Sequence, residues 1–119
     1  MEMVTKVEIC RVLGIGPQYA QGIPNSQLKI APRFVVGNGY SLTDGVRIAF
    51  WIGEKCSPIP KGPHADVLKF SYTKKDLAQA LGVTQQAIAY VVHKREFEVF
   101  NYDIAVWVAF ILGNQARRR

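Results

Sequence analysis

The chain has 119 residues, 49% of them hydrophobic, which is enough for one ordinary domain or for two very small units packed on each other. Fifteen Lys and Arg against nine Asp and Glu give a formal charge of +6, a surplus that suits a polyanion, whose condensed counterions are released on binding. Two cysteines, Cys10 and Cys56, exclude a dense disulfide framework. The opening MEMVTKVEIC lacks the apolar stretch of a secretory leader, and Ile104 to Leu112 is too short to span a bilayer.

The first helix is expected after Thr5, which with Glu8 three residues later forms a capping pair; Ile9, Val12 and Leu13 supply its buried face and Gly14 its stop. Pro17 suits the first turn of a second helix carrying Gln18, Tyr19 and Gln21, which Gly22 and Pro24 end within two turns. Lys29 to Val36 and then Tyr40-Ser41 read as two strands joined by the turn Gly37-Asn38-Gly39, a β-hairpin wing. Ser41 and Asp44 open a helix through Ile52, with Val46, Ile48, Ala49 and Ile52 mostly inward. Three prolines and a glycine between Pro58 and Pro63 exclude a helix or central strand and mark a short, stiff linker.

Thr73 and Asp76 repeat the capping pattern, Leu77, Ala78 and Leu81 form an inner stripe, and Gly82 ends the helix. Thr84 caps the next helix, in which Ile88, Val91 and Val92 face inward and Gln85, Gln86, Ala89, Tyr90 and His93 face outward. Helix, tight glycine turn, helix is the layout of a helix-turn-helix, whose second helix presents its outer face to the major groove. Long amides there can pair bidentately with adenine, and Lys94 and Arg95 add charge. The plain alternative is that Gln85 and Gln86 are simply solvated. Arg95 to Phe100 alternates in type and reads as a short strand or wing remnant, and Asn101 caps a nearly all-apolar helix from Tyr102 to Leu112. That helix is expected to be buried between the units or in a homodimer contact.

The two halves echo each other. Thr5-Lys6-Val7-Glu8-Ile9 through Leu13-Gly14-Ile15 returns sixty-eight positions later as Thr73-Lys74-Lys75-Asp76-Leu77 through Leu81-Gly82-Val83. Ala49-Phe50-Trp51-Ile52-Gly53 returns sixty positions later as Ala109-Phe110-Ile111-Leu112-Gly113. The common order of the blocks favours a duplicated unit.

On these residues, 4–53 resemble the winged helix-turn-helix of the excisionase, AlpA and MerR-type group. In that family a short helix-turn-helix precedes a glycine-turned hairpin and an Asp-containing helix closing on aromatic or aliphatic residues. Gly37-Asn38-Gly39-Tyr40-Ser41-Leu42-Thr43-Asp44 and Phe50-Trp51-Ile52 stand in those places. The resemblance implies phosphate or minor-groove contacts by the hairpin and base contacts by Gln18, Tyr19 and Gln21. Residues 73–95 resemble phage-repressor-like helix-turn-helix segments.

The expected architecture is therefore mainly α, with two tandem helix-turn-helix units: residues 1–56 with a β-hairpin wing, a Pro-rich linker over 57–70, and residues 71–119 with an apolar C-terminal helix and a basic tail. The expected function is sequence-specific double-stranded DNA binding, as a transcriptional regulator or a recombination or architectural factor of a phage or mobile element. The second unit is the expected reader, through Thr84, Gln85, Gln86, Tyr90, His93, Lys94 and Arg95. Phosphate contacts are expected from Lys74 beside a helix N-terminus, from Lys29, Arg33 and Asn38 of the wing, and from the tail Arg117-Arg118-Arg119. The alternative, motivated by the apolar C-terminal helix and the short helix from Pro17, is a protein-binding adaptor or inhibitor on a helix-turn-helix scaffold. Cys10, Cys56, His64 and His93 have no zinc-ligand spacing, and Gly14-Ile15-Gly16 is no phosphate cradle, so neither an enzyme, a metal nor a cofactor is expected. The expected setting is cytoplasmic and nucleoid-associated, with no membrane partner.

Overall fold

The computed structural model describes residues 3–20, 39–55, 67–97 and 99–117. Within them the chain is mainly helical with one small antiparallel sheet. Strand β1 (Met3–Thr5) leads into α1 (Lys6–Leu13) and a single 3-10 turn (Pro17–Ala20). Strand β2 (Gly39–Ser41) leads into α2 (Leu42–Lys55), and then come α3 (Lys74–Leu81), α4 (Gln85–Lys94) and α5 (Tyr102–Arg117). No described helix is long and apolar enough to cross a membrane.

The local chemistry repeats as the sequence does. Thr5 and Thr73 are the N-caps of α1 and α3, each closing a reciprocal capping box, with Glu8 and Asp76 respectively. Their backbone angles nearly coincide, φ −106°, ψ 162° against φ −110°, ψ 162°. Gly14 and Gly82 end the helices at φ 72° and 68°, left-handed values at which a Cβ is strained. The next N–H then reaches back five residues at both places, Ile15 to the carbonyl of Cys10 and Val83 to that of Ala78. The long helices also start alike: Ser41 Oγ accepts from Asp44 N, and Asn101 Oδ1 accepts from Ile104 N.

Several expectations need correction. Gly39 lies in a strand rather than in a hairpin turn, and β2 pairs with β1 at the N-terminus, Val4 opposite Tyr40. The remaining wing residues, Lys29 to Asn38, lie outside the described residues. Of the helix expected from Pro17, the described residues Pro17–Ala20 form a 3-10 turn. Arg95 to Phe100 contains no strand among its described residues; instead α4 ends in a turn with Glu96 at φ 58°, after which Phe97 N bonds to Val92 O. That turn sends the Phe97 ring edge-on against Trp107, 5.4 Å between centroids. Because an L side chain is strained at a left-handed φ, Glu96→Gly should stabilise the fold by about 0.5–1 kcal/mol, read as a higher urea midpoint at unchanged m-value.

The core is one cluster drawn from both halves, with Ile9, Leu13 and Val46 alongside Leu77, Ile88 and Phe110. Its centre is the contact of α2 with α5, the most extensive between any two elements. Gly45, Ala49 and Gly53 recur every four residues on α2, and Ala105, Ala109 and Gly113 do the same on α5, so each helix presents a stripe of small residues. A Cβ on Gly53 would strike the Phe110 carbonyl, and one on Gly113 the Phe50 carbonyl. The helices run parallel, since their C-terminal halves meet in this way and the Tyr102 hydroxyl at the other end donates to Leu42 O at 2.6 Å. From Tyr102 to Phe110 every residue of α5 is buried within its own chain, which removes that helix as the apolar face of a homodimer. It also runs on to Arg117, five residues beyond the expected end.

Two polar side chains, one buried and one half-buried, tie the chain around this pair. Asp103 is fully buried at the start of α5 and accepts from the N–H groups of Val67 and Leu68, clasping the segment that leads into the second half. Arg47 of α2 donates through Nε to Ala80 O at 2.9 Å, satisfying a carbonyl that the end of α3 leaves unpaired.

Burial pushes the Cys10 thiol from 9.0 up to about 11, and the Tyr102 hydroxyl is also raised well above its ordinary value by burial. Both groups hold their protons more tightly folded than unfolded. The Cys10 contribution is therefore complete below pH 9 and is lost as pH climbs through 11, and that of Tyr102 is complete below pH 10 and is lost above it. The urea midpoint should fall steadily over that interval, and Cys10→Ala should flatten part of the decline.

Candidate nucleic-acid interface

The turn at Gly82 sets α4 across the core with one face down and one face out. Ile88, Val91 and Val92 are buried, whereas Gln85, Gln86, Ala89, Tyr90, His93, Lys94 and Arg95 are all exposed. The outer positions recur at one-, three- and four-residue intervals, so they share a single helical face. Its start is fixed by Thr84, whose Oγ1 accepts from Ala87 N at 3.2 Å, so this hydroxyl serves as a cap. Tyr90, at 63% exposure, is a large aromatic ring presented mostly to water.

Charge gathers at the far end of the same helix. Lys94 Nζ stands 6.0 Å from the Tyr90 ring centroid, and the Arg95 guanidinium lies 5.1 Å over Trp107. Stacking on Trp107 orients Arg95 at the edge of the face. Residues 84–95 contain no carboxylate. At the start of α3, Lys74 and Lys75 are exposed, but the capping box occupies the Asp76 amide and brings its carboxylate to that helix end. The box thus takes one amide of that helix end and sets a carboxylate beside it, so an anion arriving there would meet chiefly the lysine side chains.

A groove of about 580 Å³ runs beside α4, lined by Val83, Thr84, Ala87 and Tyr90 on one wall and by Phe50, Leu112, Gln115 and Ala116 on the other. The flank of α4 that carries Thr84, Ala87 and Tyr90 therefore adjoins the C-terminal ends of α2 and α5. Arg117 is exposed in the last turn of α5, and Lys55 is exposed at the end of α2, beside Glu54 at 3.4 Å. Sequence reasoning missed Lys55. The repeat register held the signal, since Lys55 and Gln115 both stand two residues past a paired glycine.

The first half contributes less. Gln18 is exposed with its amide folded over Gly16, while Tyr19 is half-buried and leans on the core. Gln21, Lys29, Arg33, Asn38, Arg118 and Arg119 lie outside the described residues. With this geometry in hand, comparison with known proteins adds no relative: no family model, no curated protein and no solved structure matches the chain.

Proposed function

We propose that the chain is a sequence-specific DNA-binding protein built from two helix-turn-helix units, with α4 as the principal reading helix. The observation that carries this is the outer face of α4, where two adjacent amides, an exposed tyrosine, a histidine and two cations stand clear of the core on a helix set by a glycine turn. Gln85 and Gln86 lie in its first turn, the part of such a helix that reaches base edges. Bidentate amide pairing with adenine supplies the selectivity, and the cations supply affinity that is indifferent to sequence. The setting, control of transcription or recombination in a phage or other mobile element, rests on the sequence resemblance of residues 4–53 to excisionase-type proteins alone, since Gly39 stands in a strand and not in the hairpin turn of that pattern. The adaptor reading drew on the apolar C-terminal helix and on the short helix expected from Pro17; the first of these is covered by α2.

The test is selection of bound fragments from a random duplex library, followed by affinities for the selected site. Replacing Gln85, Gln86 and Tyr90 together with alanine should reduce the preference for that site over random duplex by roughly tenfold or more. Binding at low salt should persist, because the cations remain. Selectivity intact in the triple variant would exclude α4 as the reader.

A further inference from the structure

The contacts between α2 and α5 are reciprocal. A Cβ on Gly53 would meet the carbonyl of Phe110 and the amide of Asn114; a Cβ on Gly113 would meet the carbonyl of Phe50 and the amide of Glu54. Each pair is the other displaced by sixty positions, so the two repeats touch through the same patch on both. Such an isologous contact arises from rotation by half a turn and never from simple translation. Because the helices are parallel, the pseudo-two-fold axis runs along them, between α2 and α5. The outer packing agrees, since α3 rests more on α2 and α1 more on α5, each crossing to the other half.

The start of α4 lies toward one end of that axis, and the approximate two-fold carries its counterpart in the first half, the 3-10 turn, to the same end. The groove places the first turns of α4 against Phe50, Leu112, Gln115 and Ala116, and the 3-10 turn of the first half packs on α1 and α2. Lys55 and Arg117 close the helices at the same end, where they offset the negative helix termini that would otherwise face a polyanion. Duplex DNA has two-fold axes of its own, perpendicular to its length, and a two-fold protein reads inverted half-sites when the axes coincide.

On the DNA-binding reading above, we infer that one copy of this chain straddles a dyad of the duplex and recognises an imperfect inverted repeat, with the symmetry of a dimer inside a single polypeptide. The imperfection follows from the unequal halves. One half-site is specified by Gln85, Gln86 and Tyr90 on α4, the other by Gln18 in the turn Pro17–Ala20, so different side chains stand at the two arms. The long dimension of the protein, 37 Å, is close to one turn of B-DNA, so the half-site centres fall within one turn of each other.

The test combines the selected sequence, hydroxyl-radical footprints on both strands and the stoichiometry of the complex by sedimentation, all with the full chain. An inverted element with one strong and one weak arm, occupied by a single copy, is the expected result. Gln18→Ala should then lower preference at the weak arm alone, by about five- to tenfold. A direct repeat, a lone asymmetric half-site or two copies on one palindrome would overturn the inference while leaving DNA binding intact. Absence of salt-sensitive duplex binding would overturn the DNA reading itself.

Discussion

Gly53→Ala and Gly113→Ala should each destabilise the protein severely, by on the order of 3 kcal/mol, and by similar amounts. In an exposed helix the same change stabilises by about 0.5–1 kcal/mol, because alanine loses less backbone entropy on folding. Here the added methyl would sit on a backbone carbonyl of the facing helix, Phe110 in one case and Phe50 in the other. No rotamer change can relieve a clash with backbone, so α2 and α5 must separate and every buried residue between them loses contact. Separation at one glycine also makes room at its counterpart, which lies on the same seam. The double variant should consequently cost less than the sum of the singles, as expected for coupled neighbours. Urea titrations followed by circular dichroism measure all three values. A stabilising single change, or strict additivity in the double variant, would show that the helices are not held at the spacing these glycines set.

Much of this frame can be read from the residues alone, because short-range chemistry determines it. Thr5 with Glu8 and Thr73 with Asp76 announce helix starts, Gly14 and Gly82 announce stops, and the inner and outer faces of α4 follow from a period of 3.6. What escapes is what depends on distant partners or on unusual backbone. β1 is three residues long and finds its partner some thirty-five residues later, so no local pattern marks it. Glu96 adopts a left-handed angle that its side chain does not favour, and the alternation around it reads as strand. Gly113 looks like a helix stop but serves close packing, so α5 continues to Arg117. An all-apolar helix could find its cover in the same chain or in a second copy. The paired glycines decide for the same chain, and that decision turns an apparent dimer surface into the axis of the fold.

For the candidate site, the outer face of α4 was legible and its electrostatic surroundings were not, since Lys55 comes into play only once α2 and α5 end together. This has a measurable consequence. On the DNA-binding reading, Lys74, Lys75, Lys94 and Arg95 serve the α4 half of the interface. Four phosphates neutralised by them would make affinity fall with salt at a logarithmic slope of about −3.6, on the order of a hundredfold weaker between 50 and 200 mM. Lys74→Ala together with Lys94→Ala should reduce the slope by nearly two while leaving the selected sequence unchanged, because phosphate contacts fix position and amides fix identity. The amide and tyrosine substitutions should do the reverse, losing preference at an unchanged slope. If the slope of the lysine variant stays at that of the parent chain, the cations around α4 are not on phosphates, and the duplex must lie across another face. If the slope falls but preference falls with it, Lys94 reads a base as well, and its position 6.0 Å from Tyr90 becomes part of the reading geometry.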